Sequence, residues 1–405
     1  MNTTRRHFFK GLGGLGAAVA AGQAWIGEAT LGNGTAGGEE RTAPSQDSAA
    51  SGSKVPLIHC TDLFHPPGDP DDHVDLATIF ALPQFDLRAI ILDQGQLQGV
   101  TPGRIPVEQM LALMGRRVPY AIGLGTPLRY PQDDGANQFR QYQAGVELIL
   151  RVLRESHEKV VFTVVGSARD VMAAYNRDPA LFQNKVARLY FDDGNSGGGA
   201  FQWNPLLDPQ AYTRLMTGDL PVYWCPAFGA EDTLEMMAAG KLKPDPTRVY
   251  WNFLQADIFS ALPAPLQNYF LYALGRKDAA VEDSLAYLGK QPEEILRADQ
   301  WKQTRHMWST ASIYHAAGCE FYRKGDSWVA SRPPVPGYEK ADVYGFVSAR
   351  VTIDRNLRTT QDLTATSGRL KVFRIKDLEN YPAAMRSSLR ACLARMPLTG
   401  PFRNQ

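Results

Sequence analysis

The chain has 405 residues, 44% hydrophobic and 21% charged, the composition of a soluble globular protein long enough for one large domain or two ordinary ones. Lys and Arg number 43 against 42 Asp and Glu, so no global field favours nucleic acid or an anionic membrane, and any partner must be recognised by a local site. Cys60, Cys225, Cys319 and Cys392 lie far apart and form no CxxC pair, which argues against structural zinc and thioredoxin-type redox chemistry and predicts mostly buried thiols.

The chain opens with Thr4-Arg5-Arg6-His7-Phe8-Phe9-Lys10, followed by a mildly apolar, Gly/Ala-rich stretch from Gly11 to Ala24. Paired arginines, an aromatic pair, a lysine and a weak hydrophobic core form the twin-arginine export pattern. The stretch is too short and glycine-rich for a permanent membrane span, and no cysteine near it offers a lipid anchor. Residues 1–27 are therefore expected to be a signal peptide, and 28–54, rich in Gly, Ala, Ser and Thr, a disordered linker. A folded domain is expected over 55–400. The expected location is periplasmic or extracellular, with no stable membrane anchor.

Short apolar runs then alternate with amphipathic ones. Val55 to Cys60 reads as a strand ending at Thr61-Asp62, His73 to Leu82 as a helix, and Leu87 to Leu92 as a strand. Val107 to Met114 is helical, Tyr120 to Ile122 extended, and Phe139 to Arg154 helical. Val160 to Val165 reads as a buried strand and Asp170 to Tyr175 as a helix, with further strands at Ala187 to Phe191 and Val222 to Cys225. Trp251 to Ala317 is helical in pattern, and its aromatic residues read mainly as core. Val343 to Val351 and Lys371 to Ile375 are β-like, and Tyr381 to Met396 closes the chain as a helix. The order predicts an α/β fold: a mostly parallel, Rossmann-like sheet with helices on both faces.

In such sheets ligands bind beyond the C-terminal ends of the strands. The first strand runs into Asp62-Leu63-Phe64-His65-Pro66-Pro67-Gly68-Asp69-Pro70-Asp71-Asp72. Four carboxylates so close repel one another unless they are solvated or hold a cation, and hard oxygen donors suit Ca²⁺ or Mg²⁺. The alternative is a solvated turn in which Asp71 or Asp72 caps the helix.

The Asp at the strand end, the glycine-containing turn and the Asp-Asp pair resemble the inosine–uridine-preferring nucleoside hydrolase family, over much of the span from Val55 to Met396. The acidic loop is several residues longer than the family's. The resemblance implies a nucleoside hydrolase-like fold, cleavage of the N-glycosidic bond of nucleosides or related ribosides, and a Ca²⁺ cofactor. It gives Asp62 and Asp72 as metal ligands, Asp62 also as the base that takes the proton of the attacking water, and Asp71 as a ribose contact. Val164-Val165-Gly166 resembles the family's glycine turn, which makes the Val165 carbonyl a ligand. Gly194-Asn195-Ser196 through Phe201-Gln202-Trp203-Asn204-Pro205 and Asp208-Pro209 resembles its ribose-binding run, with Asn195, Gln202 and Asn204 as sugar contacts. Gln202 stands where the family has Glu. Arg305-His306-Met307-Trp308 resembles its His-Asp helix, with His306 as proton donor to the leaving base. Met307 replaces a metal-binding Asp, and a thioether is a poor ligand for a hard cation. Asp69, Asp192 and Asp193 are candidates for the missing ligand.

The expected partner is a small nucleoside or riboside, and the resemblance allows a homo-oligomer. Two alternatives stay open: a non-catalytic nucleoside- or sugar-binding relative, and a hydrolase of another glycoside with a rebuilt metal site.

Overall fold

The computed structural model describes residues 53–199, 202–276, 281–364 and 370–402. The signal-peptide reading, and the linker up to residue 52, lie outside the described residues. The strands are β1 Val55–Thr61, β2 Phe85–Leu92, β3 Tyr120–Ile122, β4 Val160–Val164, β5 Val186–Asp192, β6 Val222–Cys225, β7 Trp251–Leu254 and β8 Thr304–Met307. They continue with β9 Glu320–Lys324, β10 Ser327–Ser331, β11 Glu339–Ala341, β12 Tyr344–Ile353, β13 Thr359–Asp362 and β14 Leu370–Ile375.

A nine-stranded sheet runs in the order β13-β12-β14-β6-β5-β4-β1-β2-β3. From β14 to β3 every neighbouring pair is parallel, and β12 and β13 add an antiparallel edge. The period-2 alternation of each strand feeds two cores. Leu57, Ile90 and Val161 pack with helices Asp71–Ala81, Arg104–Met114 and Tyr381–Ala394 on one face. Ile58, Ala89, Ile91 and Phe162 pack with helices Ala144–Glu155, Arg169–Arg177 and Pro209–Thr217 on the other. The expected α/β class with helices on both faces is what the chain forms.

The stretch from Trp251 to Ala317 departs from its expected helical character. It contains four helices between residues 255 and 301 but begins and nearly ends in extended chain. β7 and β8 pair antiparallel, Trp251 opposite Met307 and Asn252 opposite His306. Arg305 to Met307 is therefore strand, and the next helix starts only at Ala311. Four-residue strands are too short for period 2 to stand out against helical neighbours. The pairing has a chemical consequence: alternation turns the wholly buried Met307 into the core and leaves His306 half-buried on the opposite face. The sheet β10-β9-β11 and strand β13 were not legible either. Cys60, Cys225 and Cys319 are buried free thiols and Cys392 a half-buried one. No helix among the described residues is long and apolar enough to cross a membrane.

Candidate active site

Parallel pairing brings the ends of four strands to one level. Asp93 N–H donates to the Thr61 carbonyl, Val165 N–H to Cys60 and Asp193 N–H to Cys225 (2.9, 2.9 and 3.0 Å). The sheet end thus collects Asp62, Asp93, Val165 and Asp192-Asp193. Gly166 is needed at this level, because a Cβ there would stand 2.8 Å from the Asp62 backbone nitrogen and 3.1 Å from Asp93 Oδ2.

Helix Asp71–Ala81 enters from the acidic loop, with Pro70 at its N-cap and no side-chain cap. Every residue of this helix is buried, so the solvated-turn reading of Asp71 and Asp72 fails. Its N-terminal dipole favours the two acids without removing their mutual repulsion. The Thr61 hydroxyl donates to Asp72 Oδ2 at 2.5 Å, and the Thr61 oxygen accepts from Leu63 N–H at 3.1 Å. Asp62 and Asp72 share a side-chain hydrogen bond, and the Gln94 amide donates to Asp62 Oδ2 at 3.3 Å.

Burial pushes the Asp62 carboxyl up to about 7, the Asp93 charge adds to this, and the bond with Asp72 opposes it. Asp72 is held well above the usual carboxylate range by burial and then by Asp62, Asp71 and Asp75. Burial also raises Asp71, helped by Asp69, Asp75 and Asp62 and opposed by Arg305. Such a cluster is ionised together only when a cation compensates it.

The other expected residues divide. Val165 sits at the sheet end, but its carbonyl already accepts from the Asn204 amide at 2.6 Å; the same amide reaches the Asp192 carbonyl at 3.1 Å. Asn204 thus bridges the ends of β4 and β5. Asp193 lies at φ 136° and accepts from the N–H groups of Gly194, Trp203 and Asn204 (2.5, 3.0 and 2.5 Å), closing the loop between them. Asn195 ties the glycine-rich turn, accepting from Gly197 and Gly199 N–H and donating to the Gly229 carbonyl. Gln202 donates to the Leu357 carbonyl at 3.1 Å, toward the β12–β13 hairpin. Asp69 pairs with Arg305 at 3.1 Å.

His306 belongs to an aromatic group. Its Nδ1 lies 2.8 Å from the Tyr250 hydroxyl, whose oxygen also accepts from the Asn252 amide at 3.1 Å. The Tyr250 ring stacks near parallel with His306 at 5.9 Å and packs 4.5 Å from Trp308, which leans on Phe228 at 5.0 Å. With Asn252 donating to the Tyr250 oxygen, a phenolic proton directed at Nδ1 would leave the imidazole proton on Nε2.

Three participants escaped the sequence reading. Asp93 ends a buried apolar strand beside the first one, a signal that was available in the sequence. Asp75 is a lone carboxylate in an otherwise apolar turn, one turn after Asp71-Asp72. Tyr250 becomes relevant only through the β7–β8 pairing. Among the described residues no three His, Cys, Asp or Glu side chains form a ready metal-ligating group. Asp62 and Asp72 are the carboxylates that the geometry brings together, with the Val165 carbonyl on the strand beside them.

No family model matches the chain. Among curated proteins, it is 29% identical over 191 residues to the pyrimidine-specific ribonucleoside hydrolase RihA of Enterobacter sp. (strain 638), covering 42% of this chain and 58% of that protein. To the Citrobacter koseri RihA it is 28% identical over 216 residues, covering 46% and 66%. The chain thus spans less than two thirds of the length of these relatives. Among solved structures, an inosine-guanosine nucleoside hydrolase gives a TM-score of 0.49 at 14% identity, covering 85% of this chain and 99% of that one. The purine-preferring ribonucleoside hydrolase from Gardnerella vaginalis gives 0.46 at 13%, covering 84% and 99%. The chain is thus similar in sequence to curated ribonucleoside hydrolases, in keeping with its resemblance to the nucleoside hydrolase family.

Proposed function

We propose that this protein hydrolyses the N-glycosidic bond of ribonucleosides with the help of a divalent cation, Ca²⁺ being the expected one. The observation that carries the reading is the buried pair of Asp62, just after the first strand, and Asp72, at the start of the helix. Asp69, in the loop just before that helix, ties it to the strand of His306 through Arg305.

The donor set suits a hard cation: two carboxylates and, beside them, a main-chain carbonyl at Val165. Asp62, Asp72 and Val165 would hold it, with sugar hydroxyls and water completing the coordination. Asp69 and Asp193, both engaged elsewhere, are weaker candidates. When bound, the cation would orient the sugar hydroxyls and acidify the attacking water.

The remaining chemistry falls to the protein. Asp62, raised to about 7, is suited to accept a proton from water near neutral pH. Asp71 would accept hydrogen bonds from the ribose hydroxyls. On the leaving side, Nε2–H of His306 would donate to the departing base, and a Tyr250 O–H donating to Nδ1 would fix that tautomer. Trp308 and Tyr250 offer ring faces for the base to stack on.

Incubating the protein with uridine or inosine tests this by the free base released. Release that stops with a chelator and returns with Ca²⁺ is the expected result. A second reading, binding without cleavage, is favoured by one observation: Gln202 and the wholly buried Met307 stand where the resembled family has carboxylates. Saturable riboside binding with no base released would establish that reading instead.

The proposal includes export, resting on Arg5-Arg6 and the segment after them. Replacing both by lysine (Arg5→Lys, Arg6→Lys) should retain the precursor in the cytoplasm, as cell fractionation would show. Unchanged export would remove this part of the reading.

A further inference from the structure

Asp75 is wholly buried, one turn along the helix from Asp71 and Asp72, and so shares their side of it. Neither Ca²⁺ ligation nor proton transfer requires it in the reading above. Its carboxylate accepts two hydroxyl hydrogen bonds, from Ser309 Oγ to Oδ2 and from Thr310 Oγ1 to Oδ1, the latter at 2.6 Å. A buried carboxylate fully engaged by two neighbouring hydroxyls is a fixed mechanical link.

The link lands at a telling place. Ser309 and Thr310 directly follow Trp308 and lie three and four residues after His306. Thr310 sits at φ 63° and ψ −43°, a conformation that costs a β-branched residue about 1–3 kcal/mol and persists only where neighbours hold it. Beyond it, Ser312 Oγ donates to Asp192 Oδ2 at 2.7 Å, and the Ala311 carbonyl accepts from the Tyr344 hydroxyl at 2.6 Å. The turn that carries the aromatic wall out of β8 is therefore strung between a carboxylate on the helix of Asp71-Asp72 and one on β5. Of these ties, the Asp75 bonds lie closest along the chain to Trp308 and His306.

We infer that Asp75 is a positioning residue that sets the leaving-group wall, His306 and Trp308, against the sugar-binding carboxylates by gripping Ser309 and Thr310. The assignment rests on the hydrolase reading. It links departure of the base to the helix that holds the sugar, and it accounts for a buried acid in a helix that needs only Asp71 and Asp72 for the sugar.

The test compares two substrates. Uridine needs its leaving base protonated or stacked, whereas 4-nitrophenyl β-D-ribofuranoside expels a stable phenolate without help. Asp75→Ala should lower kcat on uridine by about 10²-fold, the scale of a small misplacement of a reacting group. On the nitrophenyl riboside the loss should stay within about threefold, because Asp62 and Asp72 are untouched. Asp75→Asn keeps an acceptor for one hydroxyl and should recover part of the uridine rate. In a His306→Ala background, Asp75→Ala should cost little more, since its effect runs through that wall. If Asp75→Ala does not fold, Ser309→Ala with Thr310→Val removes the same bonds from the other side and should give the same split. Equal losses on both substrates, or none on either, would overturn the assignment. A wild-type protein inert toward both would instead overturn the hydrolase reading, and the assignment with it.

Discussion

Asp72→Asn is expected to cut base release about 10³-fold and to abolish the response to Ca²⁺ while making the metal-free protein more stable above pH 7. Asp72 is buried against Asp62, with Asp71 and Asp75 raising it further. The Thr61 hydroxyl, which donates to it, opposes this. An asparagine keeps the shape, still accepts from Thr61, and can donate to Asp62 where two carboxylates must share one proton. Removing one charge from a buried like-charged group relieves repulsion that no cation offsets. The metal-free protein should therefore melt higher, by about 2 °C per kcal/mol gained. The bound cation would contribute about 4 kcal/mol to the transition state, so kcat should fall about 10³-fold. Thermal melts with and without Ca²⁺, together with base release, check both signs. A variant that keeps its Ca²⁺ shift and its rate would show that Asp72 is no ligand. A variant that loses activity and also melts lower would mean that Asp72 is structural. Opposite signs for stability and function are the mark of a site assembled at the expense of the fold.

Much of the carboxylate side was legible because it depends on local sequence and strand order. A strand that ends in Asp62 and a helix that opens with Asp71-Asp72 are both visible in one dimension, and a parallel sheet sends every strand end to the same rim. The other side was not legible, because it depends on pairing. His306 was expected on a helix, where 307 would stand beside it. In the antiparallel pair with Trp251–Leu254, neighbours face opposite ways, so Met307 is core while His306 is half-buried on the other face. The polar run from Asn195 to Asn204 was legible as chemistry but not as orientation. Its amides are drawn to the Gly229, Leu357 and Val165 carbonyls, because a loop packed inside the rim must satisfy its own backbone groups. Asp69 was read as a spare ligand, but its partner Arg305 lies 236 residues away, a distance at which only the fold decides.

The second large effect is on pH. In the metal-free protein, burial raises Asp62 and Asp170 to about 7 and Asp75 and Asp193 to about 6, and holds Asp71, Asp72 and Asp192 well above the ordinary 3.8. Each group binds its proton more tightly folded than unfolded. Its contribution to stability is complete below the unfolded value, near 4, and is lost as the pH rises through the folded value. The melting temperature of the metal-free protein should therefore fall between pH 5 and pH 8, opposite to a protein whose carboxylates sit in ion pairs. Calcium reverses the trend. At pH 8 it meets carboxylates that have already lost protons or lose them readily, whereas at pH 5 it must displace protons from Asp62 and Asp72, weakening binding about tenfold per pH unit for each proton displaced. The Ca²⁺-induced rise should be small at pH 5 and largest at pH 8, where Ca²⁺ at a hundred times its Kd adds about 2.7 kcal/mol. Scanning calorimetry at the two pH values, with chelator and with Ca²⁺, reads all four states. A metal-free protein equally stable at both would mean that these carboxylates are not buried as a group. An equal Ca²⁺ shift at both would mean that the ion binds groups already ionised at pH 5, which excludes the Asp62–Asp72 pair as its site.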